Sequence, residues 1–430
     1  MANAEANEEL LMAVSSGDIE RVQWALANGA SVDSMDTNGL TALMKSIKSK
    51  DISIFKELLK QGAKPDLVAK NSITSLMVAA ILDNYEACEI LIKLKVNLNA
   101  RDSNYKTAAC YAAEKGNLDV LKLFIKNKAD VNDRDRDEDT LLHKACRGGF
   151  SDIAEFLIKS GARTTVLNKK LETPVTIAAS SGKWQVLQVL LDNGCDPNVK
   201  DSVGNTPLIY AAKDGNYTIS KKLLDSGANP NEKNNEEKSP IQYASSSGMV
   251  DLVTLLLDQG ASYYKDKRHP ILTACSSGSQ SMLELFLNRG TDVNIKDTEL
   301  NTPLLEIVKS GHSHLIDFLI DKGANINHQD IYGNTALMKA VVKGIDDSVI
   351  KLLSHGADTE IKDSEGHTAM TWARASGFIH LEEIINTKIS NEDKFKRKYI
   401  EKIDEPTAPE EPELPKEDAD NGDPLGGTGA

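Results

Sequence analysis

The sequence predicts an all-α solenoid, in which one short helical unit repeats along most of the chain. The first observation is the phrase Thr-x-Leu, or a close variant of it, which recurs at intervals of 33 residues. The second is a glycine that follows the start of the phrase by nine residues in most copies. The third is the composition, since aromatic residues make up only 5% of the 430 residues, too few for three conventional globular cores.

Each unit has the signals of two short helices. Thr206 suits an N-cap and Pro207 the first helical position that follows it. Gly215 ends this helix, and Leu223 belongs to the apolar side of a second helix that ends near Gly227. Helices of about two turns do not persist alone in water, so each unit must bury its apolar side against its neighbours.

The copies stay in phase with one exception. The interval from Ser239 to His269 is 30 residues, and a degenerate first copy begins at Glu8, which gives about twelve repeats. The other phrases start at Thr41, Thr74, Thr107, Thr140, Thr173, Thr206, Ser239, His269, Thr302, Thr335 and Thr368.

These features closely resemble the ankyrin repeat, which has a period of 33 and the phrase T-P-L-H-x-A. The resemblance runs from about Glu8 to Asn386 and is carried by positions such as Gly204, Thr206-Pro207-Leu208, Ala211-Ala212, Gly215, Leu223-Leu224 and Gly227-Ala228. It implies an α-solenoid with short hairpin fingers between repeats. It also implies that proteins bind to the finger tips and to the exposed face of the first helices.

We expect three segments. Residues 1–386 form the repeat array, whose degenerate first and last copies act as caps, and residues 387–403 form a short basic helix. Residues 404–430 contain five of the thirteen prolines and nine acidic residues against one lysine, so disorder is predicted there. This tail holds −8 of the net charge of −14, and an acidic chain is a poor candidate for binding nucleic acid.

The location of the protein and the state of its cysteines are predicted from sequence features that are missing. There is no apolar stretch of about 18 residues and no basic and apolar leader, so we expect a cytoplasmic protein without membrane insertion. The cysteines are odd in number and never spaced as CxxC, which favours free, packed thiols over disulfides or zinc. They are Cys88, Cys110, Cys146, Cys195 and Cys275.

The motifs that carry chemistry are missing, so we expect no enzyme, no cofactor and no small-molecule substrate. His143 falls in the histidine position of the repeat phrase, where we expect it to bond loop backbone. The acidic run that starts at Asp133 superficially resembles a calcium loop, but Glu138 and Lys144 stand where that loop needs Gly and Glu. We therefore expect an exposed charged finger.

Two repeats depart from the pattern. The copy at residues 69–101 has Ser72, Asp83 and Lys95 where glycines are usual, so its loops should be less regular. The connection near Tyr263 is three residues short, which predicts a truncated finger and a local change of stacking, either neutral or functional. The asparagine position after the Gly-Ala loop, occupied for example by Asn198, is expected to cap the turn.

Candidate partner-binding residues are apolar side chains at positions that are small or polar in other repeats. Ile81 and Leu82 form such a pair, with Leu40 and Ile73 on neighbouring fingers. Binding and packing within an irregular repeat both remain open for this pair. A second candidate group consists of Ile331, Tyr332 and Val342.

The sequence therefore predicts a non-catalytic interaction scaffold or adaptor that presents an extended concave surface and finger tips to one or more proteins. One alternative is a regulatory or inhibitory subunit of an enzyme, in which the acidic tail acts. Another is a structural component of a cytoskeletal or ciliary assembly. Export by a route that needs no recognisable signal also stays open.

Overall fold

The computed structural model describes residues 2–49, 51–262 and 269–400. These residues form short α-helices, and their only extended pairing consists of isolated antiparallel bridges at the bases of fingers, such as Met35 with Thr41. The predicted all-α solenoid class with short hairpin fingers is confirmed. The chain divides into two units, Met1–Thr298 and Glu299–Ala430.

In the first unit the helices alternate between a first and a second helix of each repeat. The first helices are α1 (Ala2–Ser16), α3 (Ala42–Ser46), α5 (Ser75–Ile81), α7 (Ala108–Lys115), α9 (Leu141–Gly148), α11 (Pro174–Ser180), α13 (Pro207–Lys213), α15 (Pro240–Ser246) and α17 (Pro270–Ala274). The second helices are α2 (Ile19–Ala27), α4 (Ser53–Lys60), α6 (Tyr85–Lys93), α8 (Leu118–Lys126), α10 (Ser151–Lys159), α12 (Trp184–Asp192), α14 (Tyr217–Asp225), α16 (Val250–Asp258) and α18 (Gln280–Asn288).

The second unit continues the same alternation. Its first helices are α19 (Pro303–Ser310), α21 (Ala336–Lys343) and α23 (Ala369–Ala375). Its second helices are α20 (Ile316–Asp321), α22 (Asp346–Ser354) and α24 (Ile379–Ser390), and a short helix α25 (Glu392–Phe395) follows.

The repeated threonine begins the first helix by capping it. In α3, for example, the Thr41 hydroxyl oxygen accepts the backbone N–H of Met44 at 3.1 Å. Each such cap satisfies an amide that a helix start leaves without a partner, and losing one costs about 1 kcal/mol.

The core lies between neighbouring repeats. Helix α5 packs on α7 and α7 packs on α9, with alanines such as Ala80 and Ala112 fully buried between them. Larger side chains of the second helices, such as Phe55 and Phe124, are also fully buried. Small residues let the helices approach closely, which is why so long a chain needs few aromatic rings.

The repeat at residues 69–101, repeat 3 below, keeps left-handed backbone without glycine. Ser72, Asp83 and Lys95 have φ values of 61°, 54° and 58°. An L-residue in this conformation costs roughly 1–2 kcal/mol. The predicted irregularity is therefore small in the backbone, because these turns keep the left-handed conformation of the other repeats and are strained as a result. The finger itself differs, since Asn71 also has positive φ, within a 3-10 turn.

The acidic finger is exposed only in part, so that expectation is wrong for its buried acids. Asp137 and Glu138 are exposed, whereas Asp133, Asp135 and Asp139 are buried. The side chains of Asp135 and Asp139 are 2% and 4% exposed, and both pair with the buried ammonium group of Lys144 at 2.6 and 3.0 Å. Asn168 of the next repeat donates to Asp139 at 2.9 Å, and Arg147 also pairs with it. The carboxylates turn inward because cations on the first helix and backbone amides of the finger satisfy them.

The asparagine position bridges repeats, because its side chain bonds the loop of the next repeat and not, as predicted, its own turn. Asn198 donates from its amide to the Gly227 carbonyl at 3.0 Å and accepts the Asn229 N–H at 2.7 Å, both one repeat further along. Asn132 and Asn231 make the same pair of bonds to the loops that follow them.

The described end of the chain folds back on the last repeat. Helix α24 extends to Ser390, past the predicted array boundary at residue 386. The segment that returns through Lys396–Ile400 buries Phe395 completely and pairs Lys398 with Glu383 at 2.6 Å. Residues 401–403, the predicted acidic tail 404–430 and the shortened finger near Tyr263 lie outside the described residues.

The five cysteines are buried and none forms a disulfide, as predicted. Burial raises the pKa of Cys88 to about 12 and that of Cys110 to about 11. Thiolate is therefore scarce at neutral pH, and these residues act as small apolar side chains.

Candidate functional site: a groove across the first three repeats

Most fingers are tied to their own first helix by one polar pair. An Asp or Asn at the start of the finger forms a hydrogen bond or an ion pair with the residue nine positions later. The Asp side chains accept, whereas the Asn234 amide donates to the Tyr243 hydroxyl oxygen. The pairs are Asp36–Lys45, Asp102–Tyr111, Asp135–Lys144, Asp201–Tyr210, Asn234–Tyr243, Asp330–Lys339 and Asp363–Trp372.

The second repeat shows how the pair works. One oxygen of Asp36 accepts the N–H groups of Asn38 and Leu40, at 2.8 and 3.0 Å, and the other lies 3.2 Å from Nζ of Lys45. Burial raises the pKa of Asp36, but these bonds outweigh it and hold the pKa below the usual value. The pair shapes the finger and places polar groups on the first-helix face.

Repeat 3 replaces both members of this pair with apolar residues. Ala69 stands at the start of the finger and Val78 nine positions later, on α5. Further along the same helix face, Leu82 is 44% exposed at a position that is small or polar in the other repeats. The first-helix face is therefore apolar here.

A groove of about 510 Å³ lies across α1, α3 and α5, and Val78 is part of its lining. Val14 and Met44 form its buried floor, while Leu82 is exposed on one wall. The lining consists of Val14, Ser15, Ser16, Gly17, Leu40, Met44, Lys45, Lys48, Ser49, Val78 and Leu82. The volume falls in the range of ligand pockets, about 300–1,000 Å³.

Both ionisable residues in the lining are lysines, but they differ in their partners. Lys45 is neutralised by Asp36. Lys48 is exposed, and its ammonium group makes no ion pair within residues 2–49, 51–262 and 269–400. The groove therefore combines an apolar floor with one uncompensated positive charge at its edge.

The structure brings together only part of the predicted partner-binding set. Leu40 and Leu82 both line the groove, whereas Ile73 and Ile81 are half-buried and do not line it. Sequence reasoning missed Val78. The polar pair of most other fingers recurs with the 33-residue period, so its absence at positions 69 and 78 could have pointed to this residue.

The remaining predicted residues belong to the second unit. Ile331 and Tyr332 are exposed on one finger, beside the preceding finger, where the Glu299 carbonyl accepts the Ile331 N–H at 3.1 Å. Leu300 on that preceding finger is also exposed. Val342 is exposed near the end of α21, at the opposite end of the helix from the finger.

The described residues offer little for catalysis or metal binding. No group of three His, Cys, Asp or Glu side chains within them is placed to hold a metal ion. His143 has the predicted structural role, with Nδ1 2.8 Å from the Thr140 hydroxyl and Nε2 3.1 Å from the Glu172 carbonyl. Burial lowers the pKa of His143, so the ring is neutral at pH 7.

Stacked helix pairs with hairpin fingers define a helical repeat protein, and the family models agree. A model described as "Ankyrin repeats (3 copies)" matches residues 10–102, 175–268, 208–297 and 271–363, and one described as "Ankyrin repeats (many copies)" matches residues 109–158. The chain belongs to the ankyrin-repeat family, whose repeats are in general protein–protein interaction modules. Among the curated proteins, none matches the sequence. Within the part of the chain that the structure describes, no helix is both long and apolar enough to cross a membrane.

Proposed function

We propose that the protein is a non-catalytic, cytoplasmic interaction scaffold or adaptor, and that the groove across α1, α3 and α5 is a docking site for a protein partner. The observation that carries this proposal is the exposure of Leu82 on the wall of an apolar groove. Exposed apolar patches on monomers often mark interaction sites.

The form of the groove supports a protein partner rather than a small substrate. The polar groups of its lining are three serines and two lysines, with no acid, histidine or amide side chain among them. A site for a small molecule normally adds convergent polar groups that fix the orientation of its ligand. A shallow apolar cleft between rigid helices suits an inserted side chain of a protein.

The groove is also pre-organised. Helix α5 packs against α3 on one side and α7 on the other, and Met44, Leu76 and Met77 beneath it are buried. A wall that is already ordered loses little conformational entropy when a partner binds, which increases affinity.

The test is Leu82→Asp, with Leu94→Asp as its matched control. Leu94 is 51% exposed, lies in the same repeat and is not part of the lining. Proteins retained from cells by the unmodified chain are compared with those retained by each variant. The affinity of the purified partner is then measured by calorimetry, and folding is checked by circular dichroism.

We expect Leu82→Asp to weaken binding by about 2 kcal/mol, because a charge would be buried at the centre of the contact. Leu94→Asp should leave binding unchanged. Equal partner binding by all three folded proteins would contradict the groove as the docking site.

A further inference from the structure

We infer that the groove recognises an acidic segment of a protein that inserts a large apolar side chain. This inference rests on the proposed function and specifies the chemistry of the partner. Its two parts, the apolar insertion and the acidic flank, come from separate features of the lining.

The apolar part follows from repeat 3. Because Val78 and Ala69 replace the polar pair, the floor of the groove passes from Met44 to Val78 without the charged or phenolic group found at the equivalent place in most other repeats. Leu40 and Leu82 flank this floor. A leucine, methionine or phenylalanine side chain placed there would lose water contact on several sides, which is the origin of most binding energy at such sites.

The acidic part follows from Lys48. It is the uncompensated charge of the lining, since Lys45 is already paired with Asp36. A carboxylate next to the inserted apolar side chain would meet Lys48, and a basic residue there would be repelled.

The neighbouring serines do not compete for that carboxylate. The hydroxyl of Ser15 donates to the Leu11 carbonyl at 2.7 Å, and that of Ser16 donates to the Ala13 carbonyl at 3.0 Å. Their protons are used within α1, so these two serines offer a partner only acceptor oxygens. The third serine of the lining, Ser49, accepts the Asp51 N–H at 3.2 Å and carries no charge, so the uncompensated positive charge of this lining is that of Lys48.

A selection from random peptides tests this inference directly, because it needs no identified partner. A displayed library of random twelve-residue peptides is selected on the full chain and, in parallel, on the folded Leu82→Asp variant. We expect the unmodified chain to enrich peptides that carry net negative charge and at least one large apolar residue, and the variant not to enrich them.

The outcomes separate the inference from the proposed function. Enriched peptides that are neutral or basic and still depend on Leu82 would overturn the acidic specificity and leave the docking site intact. Peptides that bind Leu82→Asp equally well, or no enrichment at all, would overturn both.

A charge exchange then measures the contribution of Lys48 directly. The best selected peptide and a version with lysines in place of its acidic residues are compared on the unmodified chain and on Lys48→Glu by fluorescence anisotropy. We expect Lys48→Glu to bind the acidic peptide at least about tenfold more weakly and the lysine version more tightly than the unmodified chain does. Affinities that are the same for both proteins would overturn the assigned role of Lys48.

The chain also carries an acidic segment of its own. Residues 404–430 contain nine acidic residues together with Leu414 and Leu425. If this segment occupies the groove of another copy, full-length chains will self-associate in sedimentation, and a chain that ends at residue 403 will not. That result identifies the tail as the acidic occupant. If both chains remain monomeric, the tail does not occupy the groove of another copy, and the peptide selection decides whether an acidic segment of a different protein is bound.

Discussion

Repeat 3 and the junction of the fifth and sixth repeats use equivalent positions in opposite ways. At the junction, the position nine residues after Asp135 holds Lys144, and the two form a buried network with Asp139 and Asn168. In repeat 3, the corresponding positions hold Ala69 and Val78, and the helix face stays apolar and accessible. Where the polar pair is present it stabilises the repeat. In repeat 3, where it is missing, Leu82 and Val78 line an apolar groove.

The largest expected effect is at the junction. Asp139→Ala should lower the free energy of unfolding by about 3–5 kcal/mol, because it leaves the buried ammonium group of Lys144 with one carboxylate fewer. Urea unfolding followed by circular dichroism measures the change. The control is Glu155→Ala, which breaks an exposed pair with Lys159 and should cost less than about 1 kcal/mol. Equal losses of unfolding free energy in the two variants would contradict the stabilising role of the buried network.

The contribution of Asp139 should depend on pH in a defined direction. Burial raises its pKa, but bonds from Arg147, Asn168 and Lys144 outweigh burial and hold the pKa far below the usual value. The stability that Asp139 provides is therefore complete above the unfolded-state pKa of about 3.9 and is lost as pH falls below it. The difference in free energy of unfolding between the unmodified chain and Asp139→Ala should be constant from pH 5 to 7 and shrink below pH 4. A difference that widens on acidification would contradict this.

A smaller effect is expected at the bridges between repeats. Asn198→Ala removes two hydrogen bonds to the next loop and should cost about 1 kcal/mol in urea unfolding. Asp66 holds the equivalent position in the loop just before repeat 3, and its side chain makes no such bridge among the described residues. Asp66→Ala should therefore change stability very little. A similar cost at both positions would contradict the weaker connection of repeat 3.

The smallest effect concerns the left-handed residues. Lys95→Gly should stabilise the chain by about 0.5 kcal/mol, because relief of strain exceeds the entropy that glycine adds to the unfolded state. The reverse change, Gly161→Lys, tests the same position in the fifth repeat. A Cβ there would meet no atom within 4 Å, so backbone strain alone should destabilise it by about 1 kcal/mol. Thermal unfolding measures both changes in stability. Stability changes of opposite sign for Lys95→Gly and Gly161→Lys support the strain at Lys95, and changes of the same sign contradict it.

The sequence predicted the repeat architecture well because local signals dominate it. Threonine caps, glycine turns and alternating apolar faces depend on residues close in the chain, and each copy repeats them. The burial of Asp135 and Asp139 in the acidic finger was not predicted, because their charges are satisfied by residues farther along the chain, Lys144 on the helix and Asn168 in the next repeat.

The candidate groove was predictable only in part. Leu82 and Leu40 stand out in the sequence as apolar residues in polar positions, and both line the groove. Val78 and Met44 look like ordinary core residues in the sequence, although both line the groove. Their place in the groove becomes visible only when the finger and the helix are placed side by side.

The most direct test rebuilds the missing pair in repeat 3. The double variant Ala69→Asp with Val78→Lys copies the Asp36–Lys45 arrangement onto the groove floor, and its affinity for the selected acidic peptide is measured by fluorescence anisotropy. If the missing pair creates the docking site, binding should weaken at least about tenfold while the free energy of unfolding stays within about 1 kcal/mol of the unmodified chain. Undiminished binding by the folded double variant would contradict the account.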